Sequence, residues 1–323
     1  MKLLVWNINQ RSSGIDIPEF VSKEILKLNE PEDPQSYPDI VVLTEFLSAA
    51  NANSEKIKIF KDSLSEKYYT FCNEKRDKER EKANGIFIAV KKGFAEINGA
   101  PNEDLKTYYK EEDQPNFLQL DIVVDGKPIS VIGTRIQVCE DMTRSAYIER
   151  RQQLVSLVEH IVKLGNKNII VAGDFNNAKI HGVETEGYLT VRDNYRGEDI
   201  NEPLVTFDTY NYHIMKGIFA MAGLTVFTPP GEQYSCGFNL YEGKPSNGYL
   251  KEDHIITTKN LKVENSKYCH SFIENYKIDK EWEWRWNRRK KKYEYVIVEA
   301  YPDHAILTAD VDFIDHKEVG NNE

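Results

Sequence analysis

The sequence has no surplus of positive charge, no paired-cysteine motif and no long apolar run, and each absence removes a class of protein. Lys and Arg number 42 against 52 Asp and Glu, a net charge of -10. A generally basic surface that coats nucleic acid is therefore excluded, because backbone affinity needs Lys and Arg facing phosphate. A local basic patch, or carboxylates that need a cation, stay compatible with this balance. The four cysteines, Cys72, Cys139, Cys236 and Cys269, are dispersed and form no CxxC, which reads as free thiols in a reduced, cytoplasmic setting. The opening MKLLVWNIN is too short for the apolar core of a signal peptide, and no segment approaches membrane-spanning length. Linkers rich in Pro, Gly or Ser and internal repeats are also missing, so the 323 residues read as a single domain. Nothing in this composition points to a protein partner.

What is present is a series of short apolar strands that end in polar residues. The most pronounced is KNIIVAGDFNN, Lys167 to Asn177, where Asn168 to Ala172 has the look of a strand buried on both faces. It stops at Gly173, and Asp174 and Asn176 follow at the two-residue spacing that puts side chains on one face. Buried there, a carboxylate and a carboxamide need a partner such as a metal ion, an activated water or a phosphate; the alternative is a cap for a following helix. Leu3 to Asn7 is a similar strand, with Asn7 and Asn9 on one face. Asp39 to Phe46 is another, delivering Glu45 at its end.

A helix is predicted after Asp16-Ile17-Pro18, carrying Phe20, Val21, Ile25 and Leu28, and another over Ser54 to Leu64, with Ile57, Phe60 and Leu64 on its inner side. Strands are predicted at Tyr68 to Cys72 and Gly85 to Val90. Asn116 to Val124 and Pro128 to Ile136 form a hairpin turned by Asp125-Gly126, with Arg135 near its end. Arg144 to Leu164 is the strongest helix, with an apolar stripe of Ile148, Leu154, Val155, Val158, Ile161 and Val162. A further helix is expected over Tyr210 to Ala222, then a strand at Leu224 to Phe227 and a turn-rich stretch to Gly248. The last strands are Asp253 to Thr257 and Ala305 to Val311, the latter introduced by Pro302-Asp303-His304. This mixed order suggests two sheets with helices outside. Oxygen donors with one His suit Mg²⁺ or Mn²⁺ better than Zn²⁺, the chemistry of phosphoester hydrolysis.

Five motifs in order, WNIN (Trp6 to Asn9), VVLTEF with Glu45, GDFN (Gly173 to Asn176), EDHII with Asp253, and PDH ending in His304, resemble those of the endonuclease/exonuclease/phosphatase superfamily, whose fold is called DNase I-like. The resemblance runs from the first strand to the last and implies an α/β, four-layer sandwich of two mixed sheets packed face to face with helices outside. It also implies a Mg²⁺- or Mn²⁺-dependent phosphoester hydrolase. By the same resemblance Glu45 is the principal metal ligand, with Asn7 hydrogen-bonded nearby and Asp303 a supporting or second-metal carboxylate. Asp174 orients or activates the attacking water, and Asn176 holds a phosphate oxygen. His304 acts as a base or a phosphate-contacting acid, oriented by Asp253. Three positions depart from the pattern. Asn9 stands where many nucleases have Asp, Pro302 replaces a usual Ser, and Arg135 lies where many members carry a phosphate-contacting His. A guanidinium there can hold two phosphate oxygens; the alternative is a purely structural arginine.

His254 follows Asp253 but faces the other way, and reads as a packing residue. So do His160, His181, His213, His270 and His316, or else they lie on the surface. Between Asp253 and Asp303 the chain exceeds the family's minimal pattern, with an inserted segment expected at about 265–300. Within it, EWEWRWNRRKKKY (Glu281 to Tyr293) concentrates three of the four tryptophans and a basic run. Trp282, Trp284 and Trp286 share one strand face, and the expectation is that this face packs on the core. Stacking of nucleic-acid bases is the other reading. The basic, aromatic segment favours nucleic acid as substrate, DNA ahead of RNA. A small-molecule or lipid-headgroup phosphoester is the alternative, and a non-catalytic binding protein of the same fold is the third.

Overall fold

The computed structural model describes residues 1–9, 17, 19–27, 37–46, 54–73, 85–110, 114–136, 144–180, 205–231, 233–239, 244–277, 281–287, 291–299 and 301–314. Leu28, Cys139, His181 and His316 lie outside them, as does the stretch 288–290. Fifteen strands and five helices follow one another along these residues. Most strands fall into two mixed sheets.

The first sheet has six strands. Its centre is β1 (Lys2–Asn7), which runs parallel to β2 (Ile40–Phe46) and antiparallel to β15 (Ile306–Phe313). Beyond β2 lie β4 (Gly85–Lys91) and β3 (Tyr68–Cys72), and β12 (Leu261–Cys269) closes the other edge. The second sheet is built on β7 (Lys127–Arg135), parallel to β8 (Ile169–Ile180). β6 (Asn116–Val124) and β5 (Glu96–Ile97) extend it on one side; β11 (Lys244–Thr258), with β9 (Leu224–Phe227) and β10 (Cys236–Asn239), extends it on the other.

The alternation of side chains explains why the sheets stack. Leu3 and Val5 of β1, Ile40 and Val42 of β2, Ile129 and Val131 of β7, and Ile170 and Ala172 of β8 pack together between the sheets. Their neighbours point outward. Leu4, Trp6, Val41 and Leu43 meet α1 (Glu19–Ile25) and α2 (Ser54–Ser65) through Phe20, Val21, Ile25, Ile57, Phe60 and Leu64. Ile132, Val171 and Ile256 meet α3 (Arg144–Leu164) and α4 (Val205–Met221) through Leu154, Leu157, Ile161, Met215 and Phe219. The result is a four-layer α/β sandwich. Both faces of the central strands are covered, which is why they read as unbroken apolar runs.

Several boundaries and faces differ from the sequence expectation. α4 begins five residues before Tyr210, and the turn-rich stretch before Gly248 contains β10 and the start of β11. Ile148 and Val162 are exposed. The buried face of α3 is instead Arg150, Gln153, Leu154, Leu157, His160 and Ile161, a helical repeat whose polar members have partners: His160 bonds the Lys106 N–H and Gln119. The first part of the segment expected at about 265–300 is joined to the core. Cys269 is still paired with Ile306, and α5 (Ser271–Asn275) sends Phe272 into the core. What stands apart is β13 (Glu281–Asn287) paired with β14 (Lys292–Glu299), a two-stranded sheet of its own. Trp284 and Trp286 on it are exposed, against the expectation of a core-packed face. Among the described residues Cys72, Cys236 and Cys269 are not joined in disulfides, and no helix is long and apolar enough to cross a membrane.

Two glycines let the layers approach where the site will form. A Cβ on Gly133 would meet Ile86 Cγ2 of the facing sheet at 2.4 Å, and one on Gly173 would meet the Thr134 carbonyl oxygen at 1.9 Å, at φ +151°. Thr134 and Gly173 are register partners in the parallel pair β7–β8, so a side chain there forces the two strands apart. Gly173→Ala is therefore expected to destabilise the protein by about 2–4 kcal/mol in urea unfolding; a loss within about 0.5 kcal/mol would mean the strands accommodate it.

Candidate active site

Strand parity and direction bring the polar strand ends together. β1 and β2 are parallel, so their carboxyl ends share an edge, and β15, antiparallel to β1, begins there. In the facing sheet β7 and β8 end their apolar runs at the same edge, with Arg135 and Asp174 as register partners, and Asp253 of β11 is opposite Asp174. Asn7 continues the inward parity of Leu3 and Val5. Asp174 continues that of Ile170 and Ala172, and Arg135 that of Val131. All three side chains thus enter the rim of the inter-sheet space.

Glu45 has the wrong parity to join them. It would follow Val41 and Leu43 toward the helices. A register shift between Leu43 and Phe46 corrects this, and Glu45 itself adopts φ +53°, a bulge that re-aims one side chain. Asn9 and Asn176 are left-handed too, at φ +39° and +46°. This conformation costs little for Asn and roughly 1–2 kcal/mol for an ordinary residue such as Glu. Backbone strain of this kind clusters at functional sites.

The gathered groups bond one another across the sheets. Asn7 Nδ2 donates to Asp174 Oδ2 at 3.0 Å and to Glu45 Oε1 at 3.3 Å, and it lies 3.4 Å from His304 Nε2. Its oxygen accepts from the Asn9 N–H at 2.9 Å, which fixes the amide with its nitrogen toward the acids. Arg135 crosses in the other direction, 2.6 Å from Glu45 Oε1 and 3.5 Å from Asp174 Oδ2. Its buried Nε has no hydrogen-bond partner. Asp174 also accepts from the Asn176 backbone N–H at 2.9 Å and from Asn176 Nδ2 at 3.0 Å; the same nitrogen donates to the Ile136 carbonyl at 2.7 Å. Asp303 stands slightly apart, accepting from Asn9 Nδ2 at 2.7 Å.

His304 and Asp253 form the second half of the site. Nδ1 of His304 lies 2.7 Å from Asp253 Oδ2, and both residues are buried. Burial pushes the Asp253 carboxyl up from its ordinary value. For His304 burial works against the charged ring, but the Asp253 carboxylate bonded to Nδ1 favours it, and the pKa lies above the usual value. Cys236 itself is kept as a neutral thiol by burial. Nδ1 of His304 is thus engaged by Asp253, and Nε2 faces the rim beside Asn7.

Residues to which the sequence assigned no site role hold this frame. Trp6 Nε1 donates to the His304 carbonyl at 3.1 Å, Tyr268 Oη to the Asp253 carbonyl at 2.7 Å, and Arg150 from α3 to the Asn176 carbonyl at 2.8 Å. Ser235 Oγ accepts from the N–H groups of Glu252 and Asp253. A buried Arg at helical spacing from Leu154 and Leu157 was the available clue to Arg150. His254 turns away from the site, as its parity requires, and bonds Thr228 and the Asn177 carbonyl.

The donor set suits a hard divalent cation. Glu45 and Asp174 share one guanidinium and one neutral amide, so negative charge remains uncompensated. Both contacts to Glu45 land on Oε1, which leaves Oε2 as a ligand oxygen. A second cluster, with ligand atoms of Cys236, Glu252 and His304 within 4.8 Å of one another, is a poor fit: the thiol is protonated and the imidazole is engaged by Asp253.

No family model and no curated protein sequence matches this chain. Solved structures do. The chain is similar to TDP2 of D. rerio complexed with a single-strand DNA product, at 13% identity over 97% of this chain and 98% of that one, with a TM-score of 0.56. It is similar to an endonuclease/exonuclease/phosphatase from Bacteroides vulgatus, at 14% identity over 97% and 98%, TM-score 0.57. A mannosyl-6-phosphatase of Bacteroides thetaiotaomicron aligns at 11% identity over 97% and 100%, TM-score 0.54. With two mixed sheets packed face to face between helical layers, this chain has the DNase I-like fold of the endonuclease/exonuclease/phosphatase superfamily.

Proposed function

We propose that this protein is a divalent-metal-dependent phosphoester hydrolase acting on nucleic acid, DNA ahead of RNA. The reading is carried by one observation: Asn7, Glu45, Arg135, Asp174, Asn176, Asp253 and His304 arrive from both sheets in a single hydrogen-bonded cluster. Glu45 would hold Mg²⁺ or Mn²⁺, with Asp303 the supporting carboxylate. Bound there, the ion neutralises charge on the phosphate.

The chain's own groups do the rest. Asp174, fixed from four sides, orients a water for in-line attack on phosphorus and accepts its proton. Asn7 keeps Glu45 and Asp174 apart and aimed, acting from its nitrogen. Arg135, with donors beyond those it spends on Glu45, holds non-bridging oxygens; Asn176, whose two amide protons go to Asp174 and the Ile136 carbonyl, would join it by releasing one of them. The His304 imidazolium donates Nε2–H to a phosphate oxygen as charge builds on it, so the protonated form is the working one. Water attack forms one P–O bond, the ester P–O bond breaks, and the leaving oxygen takes up a proton. The free thiols fit a reducing, cytoplasmic setting.

Nucleic acid is favoured by the DNA-bound TDP2 neighbour and by the exposed aromatic hairpin. A small-molecule phosphatase is the second reading, favoured by the mannosyl-6-phosphatase neighbour and by the net charge of -10. A panel of plasmid, single-stranded, abasic and RNA substrates beside inositol and sugar phosphates separates them. Nucleic-acid cleavage that EDTA abolishes is expected; turnover of the small phosphates alone would replace the first reading by the second.

Two variants probe the parts. Asp253→Asn removes the carboxylate that raises the His304 pKa, so the ring loses its proton at lower pH. The basic limb of the pH–rate profile should move downward, with kcat/KM reduced about 10²-fold or more at neutral pH; an unmoved limb would exclude His304 as the acid. Glu45→Gly and Glu45→Ala should both lose activity, yet the Gly variant should be the more stable by about 1 kcal/mol, because position 45 is left-handed. At an ordinary strand position the order is reversed, and finding that reversed order would remove the bulge argument.

A further inference from the structure

The hairpin of β13 and β14 carries a feature that the hydrolytic site does not use. Trp284 is opposite Tyr295 and Trp286 is opposite Tyr293, so four aromatic rings share one face. Their exposures are 67%, 53%, 51% and 63% in that order. Within each pair the centroids are 5.2 Å apart, at 37° for Trp284–Tyr295 and 66° for Trp286–Tyr293. The pairs brace each other by edges and tilts, which leaves ring faces open. A two-stranded hairpin is marginal on its own, and exposing four large rings on it has a cost in solubility.

Charge distinguishes the occupants. The chain carries a net charge of -10, yet its sequence runs Arg-Arg-Lys-Lys-Lys from 288 to 292. Lys291 and Lys292 are described there and are exposed. Successive rings on one strand face are roughly 7 Å apart, about twice the ~3.4 Å rise of stacked nucleotides, so one base fits between them. The hairpin also leads directly to the catalytic edge: β14 ends at Glu299, five residues before His304, a reach of at most about 18 Å. Tyr295, the ring nearest in sequence, is nine residues before His304, a separation of at most about 32 Å that a strand of several nucleotides spans.

We propose that the Trp284–Trp286–Tyr293–Tyr295 face is a stacking platform for single-stranded nucleic acid, with Lys291 and Lys292 on its phosphates, and that it holds the strand whose phosphoester enters the hydrolytic site. This deepens the nucleic-acid reading and rests on it. Stacking is tolerant of sequence because every base has a π-face, so the platform confers strand preference without base preference.

The test uses the full-length protein in EDTA, which blocks cleavage, and a fluorescein-labelled oligothymidylate of about twelve nucleotides. Anisotropy should report binding by the wild type. Trp284→Ala/Trp286→Ala should weaken it about tenfold or more, with the thermal unfolding midpoint retained because both rings are exposed. Lys291→Ala/Lys292→Ala should reduce the slope of log K against log salt by about 1.4, two phosphates at about 0.7 each. Equal affinity of the double Trp variant, with the wild type binding and cleaving the oligonucleotide, overturns the platform and leaves the nuclease reading standing. A wild type that neither binds nor cleaves it overturns both. A Trp-dependent dimer by sedimentation, with unchanged oligonucleotide affinity, assigns the face to a second copy of this chain instead.

Discussion

Two polar bridges cross between the sheets in opposite directions, and the site depends on both. Asn7 reaches from the first sheet to Asp174 of the second, and Arg135 reaches from the second sheet to Glu45 of the first. Each bridge satisfies a group that would be costly to bury alone. Gly133, where even a Cβ would strike Ile86, is what lets the layers close at this edge. The geometry of this polar cluster is thus a property of sheet packing, and the helices contribute mainly by covering the outer faces and, through Arg150, by holding the Asn176 carbonyl.

Most of the fold was legible because its central strands are covered on both faces. Continuous apolar runs marked β1, β2 and β8, and their polar ends marked the site. Period-two parity put Asp174 with Asn176 and Asn7 with Asn9, and turned His254 away from Asp253, as the structure has it. Glu45 shows the limit of that argument: its parity points the wrong way, and the residue joins the cluster only through a bulge that no local pattern announces. The helices were harder. In α3 the inner face includes Arg150, Gln153 and His160, so a search for apolar periodicity shifts the stripe onto Ile148 and Val162, which are exposed. Residues such as Trp6, Tyr268 and Ser235 act by bonding the backbone of His304 or Asp253, and side-chain type alone does not reveal such roles. The Trp hairpin was misread for a related reason, since alternation shows which residues share a face but not whether that face is covered.

Arg135 gives this site its own character. It places a permanent cation between Glu45 and Asp174, one of whose contacts falls on the oxygen of Glu45 that also receives Asn7. A guanidinium in that position partly neutralises the acids and holds donors ready for a phosphate. It also competes for Glu45 with any divalent ion. An ion held by Glu45 would have to displace this contact.

The claim that Glu45 holds a hard cation is tested most directly by an anomalous difference map from crystals soaked in Mn²⁺. The account predicts a peak at the Glu45 carboxylate, with the Arg135 guanidinium displaced from Oε1. A peak among Cys236, Glu252 and His304, or none beside Glu45 at a concentration that supports turnover, would contradict it.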